Sequence, residues 1–532
     1  MRRGVLANVF TVGGLTAFSR VLGLAREMMQ SRILGAGMEQ SAFVLAFAIP
    51  NMARKVFGEG ALTAAFVPVF KGEVERGAEE SARKLARAVL TTILLVLGSI
   101  VLLSVLGLSA FLEIPSLRSL LSPRAGLTLR LVRILCPYMV FICGAAFGMG
   151  VLNALGRFVE GALMPTVLNV FWISALAALC FMPGLSVETR VAAVCWAILL
   201  GGVAQMAFLL RCMRKRGFGF RPLSPWRIAG DKVAADGFRR VWRNTFNAAL
   251  GAGAVQVNCM LDQVLAWLAS PWAAGVIGYA ERLVDLPIGV VGVAFGTVLL
   301  PTFAGFFARG DLAGARESLS SSTFSLMFVM LPAAAGLFAL APDVTAVIYE
   351  GRAFDAIATV RVSRALAVYA LGLVFYGLQK SIVPWFHAQG DMKTPLKVSV
   401  RMVVLNALLN VIAVAALPVE WRHVGLAAST VLCAAVGAAL LVALARRRNG
   451  SLGLAAIAWP VAKITAASVA MALAIVVVRR FLPEMPRIFS LSALIAAGAA
   501  TYALLALLLM RREAKAFRLP KSRRKAVEYD KI

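Results

Sequence analysis

Histidine is nearly absent: the 532 residues hold two, His387 and His423. That removes the side chain most used for proton transfer and metal ligation near neutral pH. No H-E-x-x-H pair, no glycine-rich phosphate loop and no Ser/His/Asp grouping stands out along the chain. Acid is scarce as well, with 26 Asp and Glu against 55 Lys and Arg. The longest loop on what is read below as the outer side, around 113–127, has one acid and no histidine. It lacks the paired carboxylates or metal ligands that an extramembrane catalytic loop needs. An enzyme is therefore not expected. The seven cysteines, at 136, 143, 180, 195, 212, 259 and 433, form no CxxC pair and no metal spacing, and read as buried inert thiols.

What the chain has in excess is apolar length. It is 60% hydrophobic with a mean hydropathy of +0.82, which excludes a soluble domain. Uncharged runs cover 88–112, 134–156, 161–187, 191–210, 286–308, 318–342, 424–445 and 488–510. Each suffices for a hydrocarbon core that takes roughly 20 residues of helix. Runs broken by one or a few charges, about 5–31, 41–70, 244–268, 273–285 leading into 286–304, 365–388, 402–419 and 454–478, bring the expected total to fourteen helices. No A-x-A cleavage site follows a short apolar core, so 5–31 reads as a retained span. The expected fold class is an all-α polytopic membrane protein.

The formal net charge of +29 raises the question of nucleic acid, but its distribution answers otherwise. With the N-terminus inside, alternate loops on the inner side hold 35 Lys and Arg and those on the outer side 12. That bias places both termini in the cytoplasm. The basic tail 511–526 then serves topology and anionic membrane lipids, and no nucleic-acid partner is expected.

Two passages recur at nearly constant separation. Ala154 and Gly156 of "LNALGRF" match Ala388 and Gly390 of "FHAQGDM", both 234 residues apart, and Pro50 matches Pro287 at 237. Together they imply two six-helix lobes in a parallel repeat, a common transporter plan with the substrate site at the repeat interface. The reading is an N-lobe over 1–215, a basic cytoplasmic linker over 216–236, a C-lobe over 237–448, and a remainder over 449–532 with two further helices and the basic tail.

The informative residues are the charges inside these spans. Helix 1 carries Arg20, Arg26, Glu27 and Arg32; helix 2 runs through "IPNMARKVFGEGALTAAFVPVF" with Arg54 and Glu59, where Pro50, Gly58 and Gly60 predict a bent or broken helix. Lobe two adds Asp262, then Glu281, Arg282 and Asp285, and Lys380. Arginines six apart point roughly 240° from one another, so Arg20 and Arg26 are the inward candidates while Arg32 snorkels to an interface. One reading is charge pairing within each lobe, with Glu281 and Asp285 satisfying Arg282. The other is a central cationic pocket for an anionic ligand, for which guanidinium forks suit phosphates, a lipid-linked diphosphate among them. A separate polar set, Asp262, Asn406, Asn410 and Thr430, offers oxygens to Na⁺, or else interhelical hydrogen bonds.

The segment "SRVLGLARE…GAG…AFVLAFAIPNMARKVFGEGALTAAFVPVF", with "YAERLVDLPIGVVGVAFGTVLLP" (279–301) and "QGDMKTPLK" (389–397), resembles the MurJ (MviN) family of lipid II flippases in the MOP exporter superfamily. The resemblance implies a transporter, acting as a monomer in a bacterial cytoplasmic membrane, that moves lipid II to the outer leaflet by alternating access. The alternative is a flippase for another polyprenyl-diphosphate-linked glycan. It implies substrate binding by Arg20, Arg26, Glu27, Arg54, Glu59 and Arg282, and a tail groove at the two extra helices. No cofactor is implied beyond Na⁺ as a coupling ion, at Asp262. Two positions depart from the family pattern: Ser41 stands where many members have Asp, and Asn410 where a second carboxylate of the sodium site falls.

Overall fold

The computed structural model describes residues 2–56, 62–224, 228 and 230–510, and over these the chain is helical. The described residues form two compact units. The first is Met1–Gly278 with Tyr349–Ala358 and Pro418–His423; the second is Tyr279–Ile348 with Thr359–Leu417 and Val424–Ile532.

The first unit opens with α1 (Arg2–Leu34), α2 (Met38–Ala53) and α3 (Leu62–Glu75). Then follow α4 (Glu79–Glu113), the short α5 (Pro115–Arg118), α6 (Pro123–Leu135), α7 (Tyr138–Ala154), the short α8 (Val159–Ala162), α9 (Met164–Cys180), α10 (Val187–Lys215) and α11 (Lys232–Ala269). The break expected near Pro50 is present. α2 ends at Ala53, a π-helical turn covers 54–56, and the helix resumes at Leu62. Proline 50 has no N–H for the preceding turn, which loosens the ladder at that point. Residues 57–61, with Glu59 and both expected glycines, lie outside the described residues, as does the tail from 511.

Small residues set how closely these helices approach, as expected where lipid supplies no hydrophobic drive. A Cβ on Gly202 of α10 would lie 2.5 Å from the Tyr138 ring of α7, and one on Gly144 would meet the Met206 sulfur at 3.0 Å. Phe66, Phe70 and Phe147 pack together, the Phe66 ring centroid lying 5.1 Å from that of Phe70 and 4.7 Å from that of Phe147.

α12 (Ala273–Ala308), α14 (Ala356–Ala388) and α16 (Val419–Asn449) each begin in the first unit and continue in the second. The second unit also holds nearly all of α13 (Leu312–Tyr349), together with α15 (Lys393–Ala416), a 3-10 turn at Leu454–Ile457, α17 (Ala458–Phe481) and α18 (Arg487–Leu509). Its core stacks Phe303 and Phe307 edge-on against the fully buried Trp385. α17 and α18 are fastened to α13: Tyr502 donates to the Phe328 carbonyl at 2.8 Å, and Arg479 pairs with Asp343.

Among the described residues, ten helical segments are long and apolar enough to cross a bilayer, from Glu79–Glu113 to Arg487–Leu509. The remaining long helices, α1, α11 and α12, and the broken α2–α3 pair coincide with the other expected spans. Large apolar side chains such as Leu102, Leu103 and Leu106 of α4 and Leu507 of α18 stand exposed, which only lipid makes inexpensive. One expectation fails. Cys180 and Cys259 are exposed and Cys212 is half-buried, whereas Cys136, Cys143, Cys195 and Cys433 are buried. In a membrane protein an apolar stretch also faces outward, so apolar neighbours in sequence do not imply burial.

Candidate substrate-binding site

Arg20, Arg26 and Arg32 of α1 do not share one setting, as their helical spacing requires. Arg20 and Arg32 are exposed, and Arg26 is half-buried. Arg26 is held by partners from two helices. Its Nη1 donates to Asn169 Oδ1 at 3.0 Å, its Nη2 donates to Glu27, and its guanidinium carbon lies 4.2 Å from the centre of the Trp172 ring. Asn169 is oriented in turn by donating Nδ2 to the Ser19 carbonyl at 3.1 Å. Trp172 stands edge-on to Phe43 and Phe47 at 5.6 and 5.5 Å. The side chains of Arg26 and Glu27 keep 14% and 13% of their surface, so the pair is reachable but largely desolvated.

Pairing with Glu27 would satisfy a purely structural arginine. The additional Trp172 face and Asn169 acceptor fix the plane of the fork as well, and Arg26 Nε has no hydrogen-bond partner. A guanidinium of fixed orientation that keeps part of its surface accessible is suited to a phosphate or carboxylate. Sequence reading missed Asn169 and Trp172. The signal was an Asn and a Trp three apart on one face of the apolar stretch "LNVFW", where an uncharged polar group needs a partner.

The other expected residues are placed as follows. Arg54 follows α2 and donates both Nε and Nη2 to Asn51 Oδ1, at 3.1 and 2.9 Å. Glu59 lies outside the described residues. Ser41 is fully buried, and its Oγ accepts the Gly275 N–H at 3.0 Å, capping the first turn of α12. Serine thus does as a neutral acceptor what an aspartate at this position would do with charge. In the second unit Arg282 is exposed, and Glu281 accepts from the Tyr369 hydroxyl at 3.5 Å.

The residues of the expected cation set are placed within their own units. Asn410 Nδ2 donates to Asn406 Oδ1 at 3.0 Å, Asn406 Nδ2 to Thr430 Oγ1 at 3.5 Å, and Thr430 to the Leu426 carbonyl at 3.1 Å, tying α15 to α16. Asp262 belongs to the first unit, where it accepts from Asn258 Nδ2 at 3.3 Å. Asn406 Oδ1 is thus taken up within α15 by Asn410, and the bond from Asn406 Nδ2 to Thr430 Oγ1 is the one of the three that crosses between helices.

A family model described as "Lipid II flippase MurJ" matches residues 30–496. The chain belongs to the MurJ family. It is 32% identical to the "Lipid II flippase MurJ" of Burkholderia cenocepacia over 83% of this chain and 84% of that protein. It is also 32% identical to the "Probable lipid II flippase MurJ" of Rhizobium tropici over 77% and 75%. Its fold matches a solved MurJ structure in an inward closed conformation, with a TM-score of 0.76 at 22% identity, covering 94% of this chain and 99% of that one. An inward-facing multidrug resistance MATE transporter of the MOP superfamily aligns with a TM-score of 0.66 at 15% identity, over 83% and 98%. A MurJ-family chain is a transporter and not an enzyme, in keeping with the scarcity of catalytic residue types.

Proposed function

We propose that this protein carries lipid II across the bacterial cytoplasmic membrane, with both termini on the cytoplasmic side, and that Arg26 receives the diphosphate. The observation that carries the reading is the Arg26 guanidinium, stacked on Trp172, oriented by Asn169 and Glu27, and mostly desolvated inside a membrane helix. Anchoring the plane of the fork in advance lowers the ordering cost of a diphosphate contact. Arg54 and Arg282 would add further contacts to the diphosphate as the protein alternates its access, while Arg20 and Glu27 shape the polar lining. α17 and α18 would receive the polyprenyl tail. No bond is made or broken. The charge of the head is carried past the hydrocarbon by moving protein, since an uncompensated diphosphate would not cross it unaided.

The test is native mass spectrometry of the purified protein with lipid II, with a polyprenyl-linked O-antigen precursor as competitor. Selective binding in the wild type and its loss in Arg26→Ala/Arg282→Ala support both substrate and clamp. Equal binding of the two lipids would favour a flippase for a different polyprenyl-linked glycan. Lipid II binding untouched by the double substitution would remove the clamp.

A further inference from the structure

A second cluster of arginines lies within the first unit, apart from Arg26. Arg32, Arg190 and Arg352 line an open cleft of about 860 Å³ together with Glu350 and the apolar Ile33 and Phe181. The charge bias assigns this end to the outer face. Three guanidiniums face one carboxylate, so the cleft carries an excess of positive charge.

The walls are built and pinned. The turn carrying Glu350 and Arg352 closes on itself through paired bonds between Gly351 and Phe354, each 3.1 Å. It is stitched to the end of α1 by the Ala353 N–H on the Arg32 carbonyl at 3.1 Å and by Ser31 Oγ on the Tyr349 carbonyl at 3.0 Å. Tyr349 and Phe354 beneath it are fully buried. Gly35 has φ +71°, and a Cβ there would lie 2.3 Å from the Ala353 carbonyl oxygen, so the approach admits no side chain. On the opposite wall, Arg190 Nη2 donates to the Pro183 carbonyl at 2.7 Å, while its buried Nε has no hydrogen-bond partner.

The lip of the cleft is apolar. Phe181, at the end of α9, is 87% exposed and the adjoining Met182 is 54% exposed. Phe181 follows the last turn of a span, Val159–Cys180, and so stands at the edge of the hydrocarbon, next to the headgroups. Arginines set beside an apolar lip at that depth, with Arg190 held by the Pro183 carbonyl, match an amphiphile with an anionic head.

We infer that this cleft is a binding site for a phosphate-bearing lipid headgroup of the outer leaflet, with Arg190 and Arg352 as its ligands and Phe181 against the first carbons of the chain. The site is distinct from the Arg26 site and does not rest on what that site carries.

Cys180 also lines the cleft and is exposed, which supplies a local reporter. The purified full-length protein in a neutral detergent is treated with N-ethylmaleimide, and alkylation is followed at the Cys180 peptide by mass spectrometry. Exposed Cys259 is the internal control. Dioctanoyl phosphatidylglycerol at a few times its dissociation constant should slow Cys180 roughly threefold or more while leaving Cys259 unchanged. Dioctanoylglycerol, which lacks the phosphate, should not. The protection should vanish in Arg190→Gln/Arg352→Gln and weaken in Arg352→Gln, whose exposed side chain leaves the Pro183 bond intact. No slowing by the phospholipid, or equal slowing in both variants, overturns the site. Inorganic phosphate slowing Cys180 as much as the lipid overturns the lipid assignment.

Discussion

Glu73 offers a test of the structure that is independent of transport. It lies near the end of α3, past the second span as read over 41–70, and is only 6% exposed. A Cβ on Gly237 of α11 would lie 2.4 Å from its Oε1, and its Oε2 has no hydrogen-bond partner. Burial, helped by the nearby Asp231 carboxylate, raises its carboxyl from 4.5 to about 7, against the opposing pull of Arg76 and Arg240. Asp231 itself stays low. Burial pushes it up, but the Ala234 amide, the Ser81 hydroxyl and Lys84 all donate to it and outweigh that push.

An acid with a raised folded-state pKa holds its proton more tightly folded than unfolded. Its contribution to stability is complete below about 4.5, falls as pH rises toward 7, and levels off above that. At about 1.4 kcal/mol per pH unit the full interval is roughly 3 kcal/mol, and solvent screening brings this to about 1–2 kcal/mol. The purified full chain should therefore melt a few degrees lower at about pH 8.5 than at about pH 5. Glu73→Gln cannot ionise and should flatten that slope, becoming the more stable of the two at the alkaline end. Melting followed by tryptophan fluorescence across the range reads both curves. If wild type and Glu73→Gln fall in parallel, the carboxyl is not held protonated between α3 and α11, and the assigned burial is wrong.

Gly202→Ala would place its Cβ 2.5 Å from the ring of Tyr138, which is 1% exposed, and should cost about 1–3 kcal/mol, seen as a lower melting temperature. Asn169→Leu keeps the bulk but removes the acceptor for Arg26. It should weaken lipid II binding roughly tenfold and lower the melting temperature by a few degrees, because Arg26 and the Ser19 carbonyl lose a buried partner. Unchanged binding would detach Asn169 from the site. If sodium binds at Asp262, NaCl should raise the melting temperature above that in equal KCl, and Asp262→Asn should abolish the difference; equal temperatures in wild type would remove sodium from the mechanism.

How much of this was legible in the sequence follows from the range of the interactions involved. The spans were readable because each is a local property: a run long enough to cross the hydrocarbon forms helix there, since any other backbone leaves donors and acceptors without partners. The break after Pro50 was local too. The long α12 runs through Pro287 and Pro301 without ending, as the run 273–285 leading into 286–304 implied. The exposure of Cys180 was not legible. Hydropathy cannot tell a side chain facing lipid from one facing protein.

The arginines of α1 show where local information ends. Periodicity separates Arg20, Arg26 and Arg32 onto different faces, yet it assigns none of them a role. The orientation of Arg26 is set by Asn169, 143 residues further along the chain, and Ser31 beside Arg32 bonds to Tyr349, 318 residues away. A charge tolerated at membrane depth must meet its partners there, and those partners arrive with other helices or with a loop. The same rule separates the two clusters by chemistry. At Arg26, a neighbouring carboxylate and an aromatic face leave a single oriented fork, suited to selecting one ligand at depth. At the cleft, three guanidiniums share one carboxylate beside an apolar lip, an arrangement that attracts anionic amphiphiles by charge with little selection among their heads. Exchanging the headgroup should therefore change occupancy of the cleft far less than exchanging the substrate changes binding at Arg26.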